Sequence, residues 1–347
     1  MIKGARGFYL FPALALALLA AILAGVCWGE AEQLWQGRVL AILAHKAGLG
    51  PAGDWTPNYE FIVFQVRLPR VLVAALVGAG LAVSGCCLQG LFNNPLASPD
   101  ILGVSSGGAL GAVGAIFLGL DAVSPVVLPA AAFLGALGAA LAVYVIATRY
   151  GRTPVATLIL AGIAVNAILG AGVSFLLTLK IEEVEAARRI VYWLIGGLEG
   201  RLWQHVAMVF PPVALCSVLA VFLARDLNSL ALGEETARSL GVSVQRFKIE
   251  ILVLVAVATG ASVAVSGVLA FVGLVVPHLI RILVGPDHRR LAPACALGGA
   301  VFLVLVDLVS RVVNRPRGVQ IGILTSLIGG PFFLFLLVYH RRKTEML

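Results

Sequence analysis

Charge is what this sequence lacks most. Only 12% of its 347 residues are charged, whereas a water-soluble domain carries about 25%. Half the usual charge cannot cover a water-facing surface. Cysteine is scarce as well: Cys27, Cys86, Cys87, Cys216 and Cys295 all lie in apolar stretches, and none has the CxxC spacing of a zinc or redox site. The adjacent pair Cys86-Cys87 reads as small packing residues in a helix. No GxxxxGK[ST] phosphate loop occurs, so the chain cannot hydrolyse ATP unaided. HExxH, paired-carboxylate and Ser/His/Asp patterns are missing too. These absences exclude a soluble enzyme, a disordered chain and a secreted disulfide scaffold.

What is present is apolar: 60% hydrophobic residues and a mean hydropathy of +1.02. At about 20 apolar residues per membrane-crossing helix, the content supports about ten spans. The fold class expected is all-α, a polytopic membrane protein with about ten transmembrane helices. The spans read as 8–28, 68–91, 101–119, 124–148, 154–178, 203–224, 247–266, 267–284, 290–310 and 320–340. The pair 247–284 has no charged break between its members. Polar stretches lie at 30–67 and 225–248, and 180–201 is half amphipathic, as at an interface.

Lys3 and Arg6 precede the first apolar run, which resembles a signal peptide. The run is long for a signal core, and Cys27 falls one residue late for a lipoprotein site, so it reads as an uncleaved span. With the N-terminus inside, the inner segments hold 14 of the 25 basic residues and 7 of the 17 acidic ones, in keeping with the positive-inside rule. That rule, rather than a nucleic-acid partner, explains the net charge of +8. An internal repeat is visible: Ala82-Val83-Ser84-Gly85 recurs as Ala264-Val265-Ser266-Gly267, with Pro95 and Pro277, then Gly103 and Gly285, at the same offset. In this topology it has the pattern of an inverted internal repeat, which transporters use for alternating access.

Almost no acidic residues lie inside the spans, Asp307 near an outer end standing out. Proton- or sodium-driven carriers usually place carboxylates at mid-membrane, so a transporter of this composition draws its energy from a partner. Arg67-Leu68-Pro69-Arg70 puts two cations beside a proline that marks a helix start, at the disfavoured end of a helix dipole and on the outer face. Either they snorkel to headgroups or they form a site for an acidic partner. Ser98-Pro99-Asp100 supplies a cap, a proline and an acid for a new helix. The following Gly103, Ser105, Ser106, Gly107, Gly108 and Gly111 form a small-residue packing face. Gly233 to Gly241 reads as a short helix opened by Glu234 and Glu235 and closed by Gly241. His278, after Pro277, reads as a hydrogen-bonding cap near an inner helix end.

Taken together, these stretches resemble the permease subunits of binding-protein-dependent ABC importers for iron–siderophore complexes, haem and cobalamin, over nearly the whole chain. The resemblance is carried by Arg67-Leu-Pro-Arg70, Leu81-Ala-Val-Ser-Gly85 with Leu88-Gln89, Asn94-Pro-Leu-Ala-Ser-Pro-Asp-Ile-Leu-Gly103, Leu230-Ala-Leu-Gly-Glu-Glu-Thr-Ala-Arg-Ser-Leu-Gly241, Phe271-Val-Gly-Leu-Val-Val-Pro-His278 and Gly322-Ile-Leu-Thr-Ser-Leu-Ile-Gly-Gly-Pro-Phe-Phe333. It implies one permease domain over 1–347 in the cell inner membrane, with both termini cytoplasmic. A homodimer would carry two cytoplasmic ATPase subunits and an external substrate-binding protein. No cofactor or metal is expected on this chain; ATP and Mg belong to the partner ATPase.

Residue by residue, the resemblance assigns binding-protein docking to Arg67, Arg70 and Arg311. It assigns ATPase coupling to Leu232, Gly233, Glu234, Glu235, Ala237, Arg238 and Gly241, within 225–246. The cytoplasmic gate falls, by position rather than residue type, at Thr153, Pro154, Val155, Ala156 and Thr157. One departure is plain: where the family has an acidic residue before Pro-Val-Gly, this chain reads Arg317-Gly318-Val319-Gln320-Ile321-Gly322, with Arg315 nearby. The function implied is import of a metal chelate, ferric siderophore favoured. The rivals are haem, cobalamin or molybdate as cargo, or an ion-coupled secondary carrier, which the acid-poor spans oppose.

Overall fold

Helix follows helix because the apolar runs are long, rich in Ala and Leu, and broken by Gly, Pro and polar residues. The computed structural model describes residues 2–29, 34, 36–51, 53–313 and 318–344; Arg315 and Arg317 lie outside them. Helices α1 (Ile2–Cys27) and α2 (Gln36–Lys46) precede α3 (Pro57–Phe61), which passes through a π-turn at Ile62–Arg67 into α4 (Leu68–Leu91). A 3-10 turn at Pro99–Leu102 leads into α5 (Val104–Phe117), followed by α6 (Val127–Ala147), α7 (Val155–Leu179), α8 (Val184–Ile195) and α9 (Trp203–Phe222). Two short helices, α10 (Ala224–Leu230) and α11 (Glu234–Ser239), come before α12 (Val244–Ser266), α13 (Val272–Val284), α14 (His288–Val312) and α15 (Ile321–Thr344).

Among the described residues, seven helices are long and apolar enough to cross a membrane: α1, α3–α4 as one rod, α6, α7, α9, α12 and α14. Shorter apolar helices are α5, α13 and the Ile321–Leu336 part of α15, so every expected span has its apolar helix. The doubtful pair divides at Gly267, where φ reaches +69° and α12 ends. Phe271 also takes a left-handed φ of +67°. The 13 residues of α13 rise only about 20 Å, short of the roughly 30 Å hydrocarbon core. Backbone groups around this break are paired with other elements: Gly197 N donates to Ser266 O, and Gly322 N to Gly196 O. Non-helical backbone at membrane depth needs such internal partners.

Helices α4 and α12 form the centre. In their apolar windows 78% of residues are buried, against 22–28% in α1, α6, α7 and α9. The peripheral helices turn Leu134, Leu141, Leu160 and Ile168 outward, a surface suited to lipid. In lipid there is little hydrophobic force between helices, so close packing has to come from small residues. At Gly85 of α4 a Cβ would strike the Gly273 carbonyl of α13, and Gly107 of α5 meets the Gly135 carbonyl of α6 in the same way. The small-residue face after Gly103 is therefore a packing face.

Two sequence expectations shift. The repeated tetrapeptide lies inside α4 in its first copy but ends α12 in its second, and Pro277 is within α13 whereas Pro95 follows α4; the offset of 182 thus pairs a mid-helix position with a helix end. His278 is in the middle of α13, edge-on to the Phe332 ring at 5.8 Å, rather than at a helix end. Glu250 is a second acid within a span, paired with Arg246 at 2.9 Å near the start of α12.

Candidate functional site

Two polar constellations stand at opposite ends of the bundle. At one end Arg70 and Arg311 converge on Asp307, with Arg67 beside them at the end of α1. Arg70 Nε donates to Asp307 Oδ1 at 2.9 Å, and Arg311 Nη2 lies 3.0 Å from Oδ2. Arg311 Nη1 also donates to Gly25 O and Trp28 O, both at 2.8 Å. Arg67 Nη1 reaches Val26 O and Cys27 O at 3.1 and 3.2 Å. Two guanidiniums thus cap the C-terminal carbonyls of α1, where a helix dipole favours cations.

The geometry corrects the sequence reading in two respects. Leu68 does not start a helix: Arg67 is already helical, and Leu68 N donates to Val63 O across a five-residue π-turn. Pro69 has no N–H to give the carbonyl four residues back, and the wider turn takes up the mismatch. Nor are the arginines assigned to docking displayed to solvent: Arg67 is 5% and Arg311 3% exposed, and the Arg70 side chain 14%. They attach α1 to α4 and α14. In the departing segment, Gln320 Nε2 donates to Glu199 Oε1 at 3.2 Å, and Val319 N to Ser310 O.

At the other end, the chain between α9 and α12 folds as two short helices with defined stops. Gly233, at φ +107°, precedes α11, whose first turn holds Glu234 and Glu235. Gly241, at φ +88°, closes it: Gly241 N bonds Arg238 O and Val242 N bonds Ala237 O, the paired C-terminal motif that favours glycine. Ala237 is fully buried, while Leu232, Glu235 and Arg238 are exposed. The helix therefore presents one face outward and rests on the bundle with the other. Its neighbour α10 is held by Asn228, which donates to Asp287 Oδ1 at 2.6 Å and accepts from the backbone N and Nδ1 of His288.

The positions assigned to the gate lie beside this helix. An Arg149–Arg152 turn, with Tyr150 and Gly151 at positive φ, ends at the buried Thr153. Pro154 then precedes α7, and Ala156 and Thr157 are exposed on its first turn. Thr153 is linked to α11 through α12: Lys248 Nζ donates to Thr153 O at 3.0 Å and to Glu234 Oε1 at 2.7 Å. The structure thus brings the coupling and gate positions together, 95 and 14 residues from Lys248.

The model of the FecCD transport family matches residues 16–339. The chain belongs to that family. Its relatives within the FecCD group include the cobalamin import system permease protein of Halobacterium salinarum, 49% identical over 80% of this chain and 73% of that protein. The hemin transport system permease of Yersinia pestis is 43% identical over 81% and 84%, and the Fe(3+) dicitrate transport system permease of Escherichia coli is 39% identical over 83% and 89%. Among solved structures, a metal-chelate type ABC transporter in an inward-facing conformation aligns with a TM-score of 0.82 at 35% identity, covering 96% of this chain and 99% of that one. The FecCD chain described here is accordingly a multi-pass membrane permease of a transport family.

Sequence reasoning missed Gln245, Lys248 and the role of Asp307. Lys248 reads as a flanking charge, yet it is 3% exposed and lies inside the helical span. A lone lysine past the start of an apolar run is the signal that was available. Asp307 was noticed, but its partner Arg70 lies 237 positions away.

Proposed function

We propose that this chain is the permease subunit of an ABC importer for a metal chelate, working by alternating access. The observation that carries it is α11, a short helix closed at its C-terminus by Gly241, exposed on one face and tied to the turn before α7. A separate ATPase pushing on α11 from the cytoplasm would thereby act on the gate at 153–157. That partner hydrolyses the ATP, with Mg²⁺ as its cofactor, since this chain has no phosphate loop. Arg149, Arg152, Arg225, Arg238, Arg246, Arg289 and Arg290 all belong to the α11 end, which supports a cytoplasmic placement of it. Two copies of the chain would enclose the pathway, with the exposed Ala156 and Thr157 facing it.

At the opposite end the guanidiniums of Arg67, Arg70 and Arg311 gather beside the end of α1, Arg70 and Arg311 sharing Asp307. We propose that their charge attracts an acidic external binding protein, direct ion pairs requiring the arginines to turn outward. The cargo belongs with the corrin, haem and ferric citrate named for the relatives. A ferric siderophore fits the same class, and cobalamin has the 49% identical relative in its favour. Glu235→Lys with Arg238→Glu, both on the exposed face of α11, tests the reading. ATPase co-purification and uptake of labelled cyanocobalamin, haemin and ferric siderophore should be lost while membrane insertion persists. An ATPase bound as before would contradict the assignment of α11.

A further inference from the structure

The link between α11 and the turn before α7 passes through a residue that belongs to neither. Lys248 stands in the second turn of α12, and its ammonium holds Glu234, the first residue of α11, together with the backbone oxygen of Thr153. Gln245, in the turn before it, accepts from Thr153 N at 3.2 Å and donates to Thr153 Oγ1. The hydroxyls of Thr148 and Thr153 lie 2.9 Å apart. Every polar atom of Thr153 is thus occupied, and α12 holds its N–H, carbonyl and hydroxyl.

A buried lysine is costly to desolvate and gains nothing over an apolar residue in packing alone. Its ammonium is a compact charge with three donors, able to hold acceptors from two segments at once. Glu234, by contrast, is 40% exposed, so the pair lies at the margin between the bundle and the exposed helix. The geometry points to Lys248, supported by Gln245, as the positioning residue that transmits displacement of α11 to the 149–153 turn. It fixes the separation of Glu234 and Thr153, so the two segments move as one unit. The inference rests on the reading of α11 as the ATPase contact. An apolar residue at 248 would keep the helices packed and leave the turn free of α11.

The test uses the complete complex purified with its ATPase. Spin labels are placed at Leu240 and Tyr150, which are 59% and 89% exposed, in the wild-type background and in Lys248→Met and Lys248→Arg. Their separation is measured without nucleotide and with ATP plus vanadate. The account expects an unchanged separation in the wild type and in K248R, which keeps donors for both acceptors. In K248M, nucleotide should shift it by about 5 Å, on the scale of a one-turn slip. A K248M response equal to wild type overturns the proposal. So does the same broadening with and without nucleotide, which would make Lys248 only a strut. Absence of a bound ATPase from the wild-type complex would instead remove the underlying reading of α11, and the proposal with it.

Discussion

Asp307 is a carboxylate that Arg70 and Arg311 share, and it is fully buried. Removing one partner of a buried ion pair typically costs about 3–5 kcal/mol. Asp307→Asn should therefore lower the thermal unfolding midpoint of the detergent-purified protein, and an unchanged midpoint would deny the cluster its structural role. Arg311→Lys should also destabilise, because a single ammonium cannot reproduce the fork that reaches Gly25, Trp28 and Asp307 together. The oddity of these arginines was legible in the sequence, as cations beside a proline on an apolar run. Their partners were not, since Arg311 reaches carbonyls 286 and 283 positions away. The π-turn that moves Arg67 into mid-rod was equally hidden: Pro69 announces a disturbance of the helix without saying whether it begins or bends there.

Elements were legible wherever their cause is local. The apolar runs placed the seven helices long enough to cross a membrane and the three shorter apolar ones, and Gly233, Glu234 and Gly241 marked α11 with both its ends. What the sequence concealed was depth: α13 stops short because Gly267 and Phe271 unwind the preceding segment. Close approach sets the tolerance of these elements to change. Gly85→Val would drive a branched side chain into the Gly273 backbone, an overpacking cost of about 1–3 kcal/mol or more, and should reduce the yield of monodisperse protein, whereas Gly138→Ala, with open space at its Cβ, should not. The attachment of α10 to the start of α14 carries a pH signature. Partial burial acts to raise the Asp287 carboxyl, but hydrogen bonds from Asn228 and Arg289 N and the charges of Arg289 and Arg290 outweigh it and hold the group low. A depressed carboxyl stabilises above its unfolded value, near 4, and loses that contribution as pH falls. Protection factors of the α10 amides, which allow for slower intrinsic exchange in acid, should be lower at pH 3 than at pH 6, and Asp287→Asn should flatten the difference.

For the molecule as a whole, composition alone marked an all-helical membrane protein, and several short motifs in order marked the family. The wiring of the α11 end needed three dimensions, because Thr153, Glu234 and Lys248 come from separate stretches and meet only when α6, α7 and α12 pack together. The central claim is that this bundle imports by responding to a separate ATPase at that end. It is tested most directly by purifying the chain gently from its native membrane and reconstituting whatever comes with it into vesicles. Uptake of the labelled chelates is then followed with and without ATP on the α11 side. The account predicts a stoichiometric ATPase and uptake that stops when ATP is withheld. Transport at the same rate on an ion gradient, with no ATPase in the preparation, would contradict it.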